Sequence, residues 1–223
     1  MTGVLLLAAS GLAREVIAAA RDTLGIVGVL DDDESLHGSL LSGVPVLGPI
    51  ARAATRPERL LICVGSGSGR RRVAERLAAL DVGVERYVTF ISPAASVARG
   101  TGIGPGGILL AGVVVTADVG IGRHAVIMPH ATLTHDDVVG DFVTIAAGVS
   151  LGGGVVLEAE SYVGMNASIR QRVRVGRGAT VGMGAAVLTD VPAGETWAGV
   201  PARALRSTAF AAEPAPMLDA RLT

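Results

Sequence analysis

A six-residue repeat runs through the second half of this 223-residue chain and restricts its fold more than any other feature. From Ile91 to Val187, every sixth residue is Ile, Leu or Val, an unbroken series of seventeen. The fourth residue after each is usually small or Val, as at Val113 and Ala125. A hexad spans about 20 Å when extended, so three hexads can close a triangular coil in which each aliphatic residue stacks on the next coil. The repeat predicts a parallel β-helix of about five to six coils.

The segment before the repeat alternates strand-like and helix-like stretches, which is typical of a parallel α/β sheet. Helices are predicted over Ala13–Thr23 and Arg70–Leu80. We expect a Rossmann-like domain over residues 1–90, a β-helix over 91–206 and a loose tail over 207–223. The predicted strands of the first domain are Val4–Ala8, Ile26–Leu30, Val44–Leu47, Leu60–Val64 and Arg86–Ile91.

Charge and composition exclude several classes of protein. All 19 basic residues are Arg and 20 residues are acidic, which removes the electrostatic basis for nucleic-acid binding. Without lysine, the chain has no Schiff-base lysine and no P-loop lysine. The single cysteine, Cys63, is expected to be a buried structural thiol and fits a reducing, cytoplasmic location. The apolar run Val4–Ala9 is too short for a membrane span.

A cluster of titratable residues interrupts the repeat in the hexad that starts at Leu133. Asp137 occupies an inward position that usually holds Ala or Val, and His135 lies beside Asp136. A histidine next to a carboxylate is the usual apparatus of a general base, because the carboxylate orients the ring and stabilises its cation. The residues alone also allow His135 to be a solvated surface histidine. Asp137 is either a second carboxylate of the site or an inward side chain satisfied by backbone amides.

The run Leu133–Gly140, followed by Asp141, Phe142 and a coil through Val155, resembles the catalytic stretch of a hexapeptide-repeat acyltransferase family. These are the nucleotide-sugar N-acetyltransferases and sialic acid O-acetyltransferases. The segment Gly199–Arg203 resembles the one that ends the β-helix beside coenzyme A in that family. The resemblance covers roughly residues 3–206. It implies a left-handed β-helix, although parallel crossovers in general are right-handed.

The resemblance also implies an acetyl-coenzyme A-dependent enzyme without a metal, assembled as a homotrimer with each active site between two chains. It makes His135 the base and Asp136 its acidic neighbour, and a backbone amide near Gly153 would stabilise the oxyanion. The residues expected to contact coenzyme A are Thr144, Gly153, Met165, Gly182, Met183, Pro201 and Arg203. The residues expected to contact the sugar nucleotide are Ser10, Gly11, Leu12, Asp31, Asp32 and Gly65.

Some positions keep more than one interpretation. The loop Gly65–Arg70 is a pocket wall, a tight turn or a weak dinucleotide fingerprint. Met165, Met183 and Trp197 either line the cofactor channel or only pack. The arginines of the late coils either bind the phosphates of coenzyme A or form a solvated edge; they are Arg170, Arg172, Arg174 and Arg177.

His130 precedes His135 by five residues, a spacing similar to that of the metal-binding histidines of β-helical carbonic anhydrases. A zinc site needs three protein ligands, and the third would have to come from a neighbouring coil or chain. We therefore predict no metal.

The predicted reaction is acetyl transfer to the amino group of a nucleotide-linked sugar, such as a UDP-, dTDP- or GDP-linked 4-amino-4,6-dideoxy sugar. O-acetylation of a sialic acid-type hydroxyl is an alternative, because the same base serves either nucleophile. A non-catalytic β-helix scaffold is another alternative. A scaffold, however, has no reason to keep His135 beside Asp136 together with Gly199–Arg203.

Overall fold

The computed structural model describes residues 3–20 and 23–205, so the predicted tail over 207–223 lies outside the described residues. The N-terminal segment contains a three-stranded parallel sheet with strand order β2-β1-β5. Short 3-10 helices span Glu34–Leu36, Ile50–Thr55 and Val84–Arg86. The strands and helices of this segment are β1 (Val4–Leu7), α1 (Gly11–Ala20), β2 (Ile26–Leu30), β3 (Leu40–Leu41), β4 (Val44–Pro45), β5 (Arg59–Ile62) and α2 (Gly67–Ala78).

Local sequence explains where the two helices begin. The Ser10 hydroxyl accepts a hydrogen bond from the Ala13 amide at 3.1 Å, and the Ser66 hydroxyl accepts one from the Gly69 amide at 3.2 Å. A serine in this position satisfies an amide that has no partner within the helix, which favours a helix start directly after it. Both helices therefore begin two or three residues before the predicted starts.

Two predicted strands of this sheet are only partly right. In the predicted strand Val44–Leu47, Val44–Pro45 pairs with Leu40–Leu41 in the antiparallel hairpin β3-β4, whereas Val46 forms a parallel bridge with Val29. The predicted strand Arg86–Ile91 is split: Tyr87 forms a single bridge with Leu60, and Phe90–Ile91 pairs with Ile108–Leu109. The hexad register already applies at Ile91, so this strand has a partner one coil later in the β-helix.

The repeat forms a prism of parallel two-residue strands in three sheets, here called faces 1, 2 and 3. Face 1 contains Phe90–Ile91, Ile108–Leu109, Val126–Ile127, Thr144–Ile145, Tyr162–Val163 and Thr180–Val181, and it ends with the hairpin Thr196–Ala198 and Arg203–Ala204. Face 2 contains Ser96–Val97, Val114–Val115, Thr132–Leu133, Ser150–Leu151, Ser168–Ile169 and Ala186–Val187. Face 3 contains Gly102–Ile103, Gly120–Ile121, Val138–Val139, Val156–Leu157 and Arg174–Val175.

Each strand pairs with the strand one coil later, as Val115 does with Leu133. The second residue of each strand points into the prism, and from Leu109 to Val187 these residues are at most 5% exposed. The prediction of a parallel β-helix is confirmed. We name the corners by the faces they join, so the corner after face 2 is corner 2/3.

Face 1 is covered by the N-terminal segment. Ile108 and Val126, which point outward from this face, are 0% and 1% exposed, and they share one apolar cluster with Leu6, Leu61 and Cys63. Cys63 is fully buried, as predicted, and burial raises the pKa of its thiol far above the usual value. Within residues 3–20 and 23–205, no helix is long and apolar enough to cross a bilayer.

Arg70 of α2 is fully buried and joins the two parts of the chain. Its Nε donates to the His124 carbonyl at 2.8 Å, and its Nη2 donates to the Phe142 carbonyl and the Thr144 hydroxyl at 3.0 and 2.9 Å. Its Nη1 donates to the Gly65 carbonyl at 2.8 Å. Burial lowers the pKa of Arg70 to about 10, which leaves the guanidinium charged at neutral pH.

Replacing Arg70 by Ala leaves several buried oxygens without donors, so we expect the free energy of unfolding to fall by about 3 to 5 kcal/mol. Arg71→Ala is the matched control: the Arg71 side chain is 40% exposed and pairs with Glu75 and Glu160. Loss of such an exposed pair costs about 1 kcal/mol or less. Urea unfolding at one fixed protein concentration measures both. Equal losses in the two variants would contradict this role of Arg70.

Candidate active site

His135 and Asp136 form a hydrogen-bonded pair on corner 2/3. His135 Nδ1 lies 2.8 Å from Asp136 Oδ2, and the two side chains are 69% and 66% exposed. Asp136 has a φ of +64°, a turn conformation that Asp tolerates better than most residues. Because an ionised carboxylate only accepts hydrogen bonds, Nδ1 carries the proton of the neutral ring and Nε2 is left as an acceptor.

Gly153 lies against the imidazole one coil later. A Cβ at this position would be 2.4 Å from His135 Nε2, a separation that real Cβ atoms do not adopt. The backbone of Gly153 does not need a positive φ, so space for the ring, and not conformation, is what requires glycine here. A groove of about 650 Å³ opens beside the pair; its lining residues are His135, Gly152, Gly153, Arg170, Gln171 and Arg172.

The backbone amide of Gly153 can stabilise a negative charge. In the part of the chain that the structure describes, this N–H has no hydrogen-bond acceptor. Residues at the same place in other hexads show what such an amide can do: the Arg123 amide donates to Asp141 at 2.7 Å, and the Arg177 amide donates to Glu158 at 2.9 Å. Each of these amides binds a carboxylate oxygen that approaches from outside the turn. The groove therefore combines a proton acceptor with an anion-binding amide.

Asp137 follows the pair and points into the prism. Its side chain is fully buried, and its two oxygens accept hydrogen bonds from the Thr134 and Val155 amides, both at 2.8 Å. Of the two interpretations of Asp137, the structure supports the inward carboxylate satisfied by amides. Burial raises its pKa to about 6, against the opposing effect of these two hydrogen bonds.

The residues expected to contact coenzyme A lie in three places. Gly153 and two of the late-coil arginines are beside His135, whereas Met165, Gly182 and Met183 lie on corner 1/2, across face 2. The side chains of Met165 and Met183 are 46% and 72% exposed. Coenzyme A contact at these residues stays a prediction.

The remaining cofactor candidates belong to face 1. Thr144 is 6% exposed, and its hydroxyl accepts a hydrogen bond from Arg70, so the structure gives this side chain a structural partner. Pro201 and Arg203 are exposed and belong to the terminal hairpin that closes face 1. Trp197 lies in the same hairpin and donates to Glu195 at 2.7 Å.

The residues expected to contact the sugar nucleotide lie together at the carboxyl ends of the parallel strands β1, β2 and β5. The structure already uses several of their polar atoms. Asp31 accepts hydrogen bonds from the Ala9 and Asp33 amides at 2.6 and 2.8 Å. Asp32 accepts one from the Ile50 amide at 3.0 Å and contacts Arg76 at 2.7 Å. Both carboxylates thus brace the loops of this edge.

Four further predicted residues of this edge are Ser10, Gly11, Leu12 and Gly65. Ser10 caps α1 and donates its hydroxyl to the Cys63 carbonyl at 2.6 Å. Gly11 is exposed with open space where a Cβ would be, and Leu12 is 8% exposed. The Gly65 carbonyl accepts a hydrogen bond from Arg70. The loop Gly65–Arg70 also includes the start of α2, which Ser66 caps. A strand edge of this kind is where open parallel sheets bind ligands.

The two other histidines of the β-helix lie on other corners. His130 is on corner 1/2, against Gly112, whereas His135 is on corner 2/3, so one chain does not bring the two together. Within residues 3–20 and 23–205, no cluster of three metal-ligating side chains is present.

Sequence reasoning missed Arg70, and it also missed the surroundings of His124. His124 is 3% exposed on corner 3/1, stacked on Phe142 and in edge contact with Tyr87. Burial lowers the pKa of His124 to about 4, so its imidazole is neutral at neutral pH. These rings border a cavity of about 440 Å³ between α2 and the prism, on a different corner from His135. The hexad pattern gives no signal for any of them, because each depends on packing between the two parts of the chain.

Comparison with known proteins supplies relatives along most of the chain, although no protein-family model matches it. GDP-perosamine N-acetyltransferase of Escherichia coli O157:H7 is 34% identical over 181 residues, which are 78% of this chain and 80% of that protein. The chain belongs to the hexapeptide-repeat nucleotide-sugar N-acetyltransferases. It is therefore an acetyltransferase whose acyl donor is acetyl-coenzyme A, and the predicted family, enzyme class and co-substrate are confirmed.

Solved structures of acetyltransferases superpose on most of the chain. The acetyltransferase domain of PglB from Neisseria gonorrhoeae FA1090, in complex with acetyl coenzyme A, has a TM-score of 0.82 and 30% identity, covering 92% of this chain and 99% of that one. PerB from Caulobacter crescentus, in complex with CoA and GDP-perosamine, has a TM-score of 0.74 and 27% identity, covering 92% and 98%. Both β-helix and N-terminal segment lie within the matched length.

Replacing Gly153 by Ala tests the geometry of the groove. The added Cβ displaces the His135 ring, which is exposed and can move, so we expect kcat for acetyl transfer to fall by about 100-fold. The free energy of unfolding should change by less than about 1 kcal/mol. Gly102→Ala, where a Cβ would meet nothing within 4 Å, is the control and should leave kcat unchanged. Wild-type kcat in Gly153→Ala would show that the ring position does not matter.

Proposed function

We propose that the protein transfers an acetyl group from acetyl-coenzyme A directly to the amino group of a nucleotide-linked amino sugar, without an acyl-enzyme. The observation that carries this proposal is the His135–Asp136 pair, with Nδ1 and Oδ2 2.8 Å apart, packed against Gly153. The 34% sequence identity with GDP-perosamine N-acetyltransferase supports an amino sugar as the acceptor.

His135 is the general base of the proposed reaction. Nδ1 is held by Asp136, so Nε2 accepts the proton as the sugar amine attacks the thioester carbonyl carbon. The new C–N bond forms, the C–S bond breaks, and the thiolate of coenzyme A takes up a proton. Asp136 fixes the ring and stabilises the imidazolium, and the Gly153 amide stabilises the oxyanion of the tetrahedral intermediate.

The groove fits coenzyme A as a co-substrate. Gly153 leaves a space that a side chain would fill, and Arg170 and Arg172 border it with guanidinium groups that bind phosphates by paired hydrogen bonds. Their contact with the diphosphate of coenzyme A is part of the proposal. So is contact of Met165, Met183 and Pro201 with the cofactor.

We assign nucleotide binding to the carboxyl edge of β1, β2 and β5. We further propose that residues 1–90 form a Rossmann-like domain and that the β-helix over 91–206 is left-handed. The site is proposed to be completed between chains of a homotrimer. Val114 and Val138 support this, because they project from faces 2 and 3 and are 37% and 50% exposed in one chain. Covering such side chains favours association. A cytoplasmic location fits the single buried cysteine.

A thiol-release assay with acetyl-coenzyme A tests the reaction. The acceptors are UDP-, dTDP- and GDP-linked 4-amino-4,6-dideoxy sugars, with sialic acid as the hydroxyl control. We expect turnover on an amino sugar and a loss of about 100- to 10,000-fold in His135→Ala. Arg59→Ala, which removes an exposed side chain at the amino end of β5, away from the proposed sites, is the control and should keep wild-type kcat.

Two results would overturn the proposal. Turnover on sialic acid alone would make the protein an O-acetyltransferase. Wild-type turnover in His135→Ala would remove His135 from the mechanism while leaving the enzyme class intact.

A further inference from the structure

Asp137 breaks the inward pattern of the β-helix at one point. The residues stacked directly before and after it, one coil away on either side, are Val119 and Val155, and Val173 follows. All three are at most 4% exposed. A carboxylate thus stands between valines, and no cationic side chain within residues 3–20 and 23–205 forms a salt bridge with it. Burying a charge in such a place is costly unless hydrogen bonds compensate for lost water.

The two hydrogen bonds of Asp137 connect the two sides of the groove. Oδ2 accepts from the amide of Thr134, the residue before His135, and Oδ1 accepts from the amide of Val155, two residues after Gly153. These amides belong to consecutive coils. The carboxylate therefore holds together, from inside the prism, the turn that carries the imidazole and the turn that carries the Gly153 amide.

The β-helix does not need this carboxylate to fold. In the same column, the Val173 amide donates to the carbonyl of Arg170, three residues back, at 3.3 Å. The Ala185 amide makes the same bond to Gly182 on another corner, also at 3.3 Å. The Val155 amide has an equivalent acceptor available in Gly152. Valine at position 137 would restore both the aliphatic column and the ordinary turn bond.

We propose that Asp137 is a positioning residue that fixes the spacing between the His135 imidazole and the Gly153 amide across two consecutive coils. The inference rests on the proposed function, in which His135 acts on the attacking amine and the Gly153 amide acts on the carbonyl group that this amine attacks. Asp137 itself touches neither substrate, because it is fully buried beneath the turn. Compared with valine at this position, Asp137 lowers the stability of the fold and fixes the catalytic geometry.

Asp137→Val separates a positioning role from a structural one. We expect kcat to fall by about tenfold or more, because small displacements of reacting groups are costly. The KM for acetyl-coenzyme A should change less than about twofold, since the groove walls remain, while the melting temperature stays the same or rises. Asp137→Asn keeps the volume but turns an amide NH₂ toward one of the two N–H donors, so kcat should fall there too.

Ser161→Val is the matched control. Ser161 occupies the same place in its hexad, is 1% exposed, and its hydroxyl has no hydrogen-bond partner within residues 3–20 and 23–205. It lies on corner 3/1, away from the groove. The substitution should raise the melting temperature and leave kcat unchanged.

The pH dependence of stability gives a second readout. The charged groups that act on Asp137 are His135 and Asp136 of its own turn, while the adjoining coils present Val119 and the Val155 amide. Folding raises the pKa of Asp137 from 3.8 to about 6, so the folded state holds the proton more tightly. Stability from this group is full below pH 3.8 and is lost as the pH rises through about 6. The melting-temperature gain of Asp137→Val should therefore be larger at pH 8 than at pH 4.

Hydrogen exchange distinguishes failure of this inference from failure of the proposed function. In the wild type, the Thr134 and Val155 amides should be protected, and Asp137→Val should speed exchange of the Val155 amide about tenfold or more, because the turn bond that replaces its bond to Asp137 is longer, 3.3 Å for Val173. If the wild type is inactive but Asp137→Val shows the faster exchange, the proposed reaction alone is wrong. If the wild type is active, the inference is wrong when both Asp137 variants keep the wild-type kcat, or when Ser161→Val loses as much activity as Asp137→Val.

Discussion

A buried guanidinium, which has no carboxylate partner among residues 3–20 and 23–205, determines how the two parts of this protein fit together. Arg70 is surrounded by carbonyl and hydroxyl oxygens, and these come from its own helix start and from corner 3/1 of the prism. An arginine can be buried this way because its five N–H donors fan out in one plane and each finds an acceptor. The contact is tight enough that a Cβ on Gly67 would lie 2.2 Å from the Phe142 carbonyl. This contact holds the N-terminal segment on face 1. The outward side chains of faces 2 and 3, such as Val114 and Val138, therefore stay exposed in one chain.

The β-helix was predictable because its core is local in sequence. Each inward aliphatic residue, such as Val115, recurs at a fixed interval and contacts its own repeat one coil later, so periodicity alone defines the strands. The N-terminal segment was less predictable. The sequence does not specify how its edge elements, β4 and Phe90–Ile91, pair, because each lies between two possible partner strands and the pairing depends on packing and not on propensity.

The candidate site divides in the same way. His135 and Asp136 are adjacent, and Gly153 is one coil later. The hexad register alone therefore predicts that these three residues lie close together in space. Asp137 could be located but not interpreted, because the partners of a buried carboxylate are backbone amides that no sequence pattern displays. Thr144 was assigned to the cofactor, and the structure reveals its contact with Arg70, which joins residues 74 positions apart.

The triangular cross-section also makes the number of hexads a functional quantity. Inserting one hexad between His135 and Gly153 would keep every aliphatic residue pointing inward and would leave the core intact. It would nevertheless turn all later coils by one face, moving Gly153 and Arg172 to a different corner from the imidazole. Only insertions of three hexads preserve which side chains share a corner. The uninterrupted series from Ile91 to Val187 therefore keeps the angular phase of the site as well as the core.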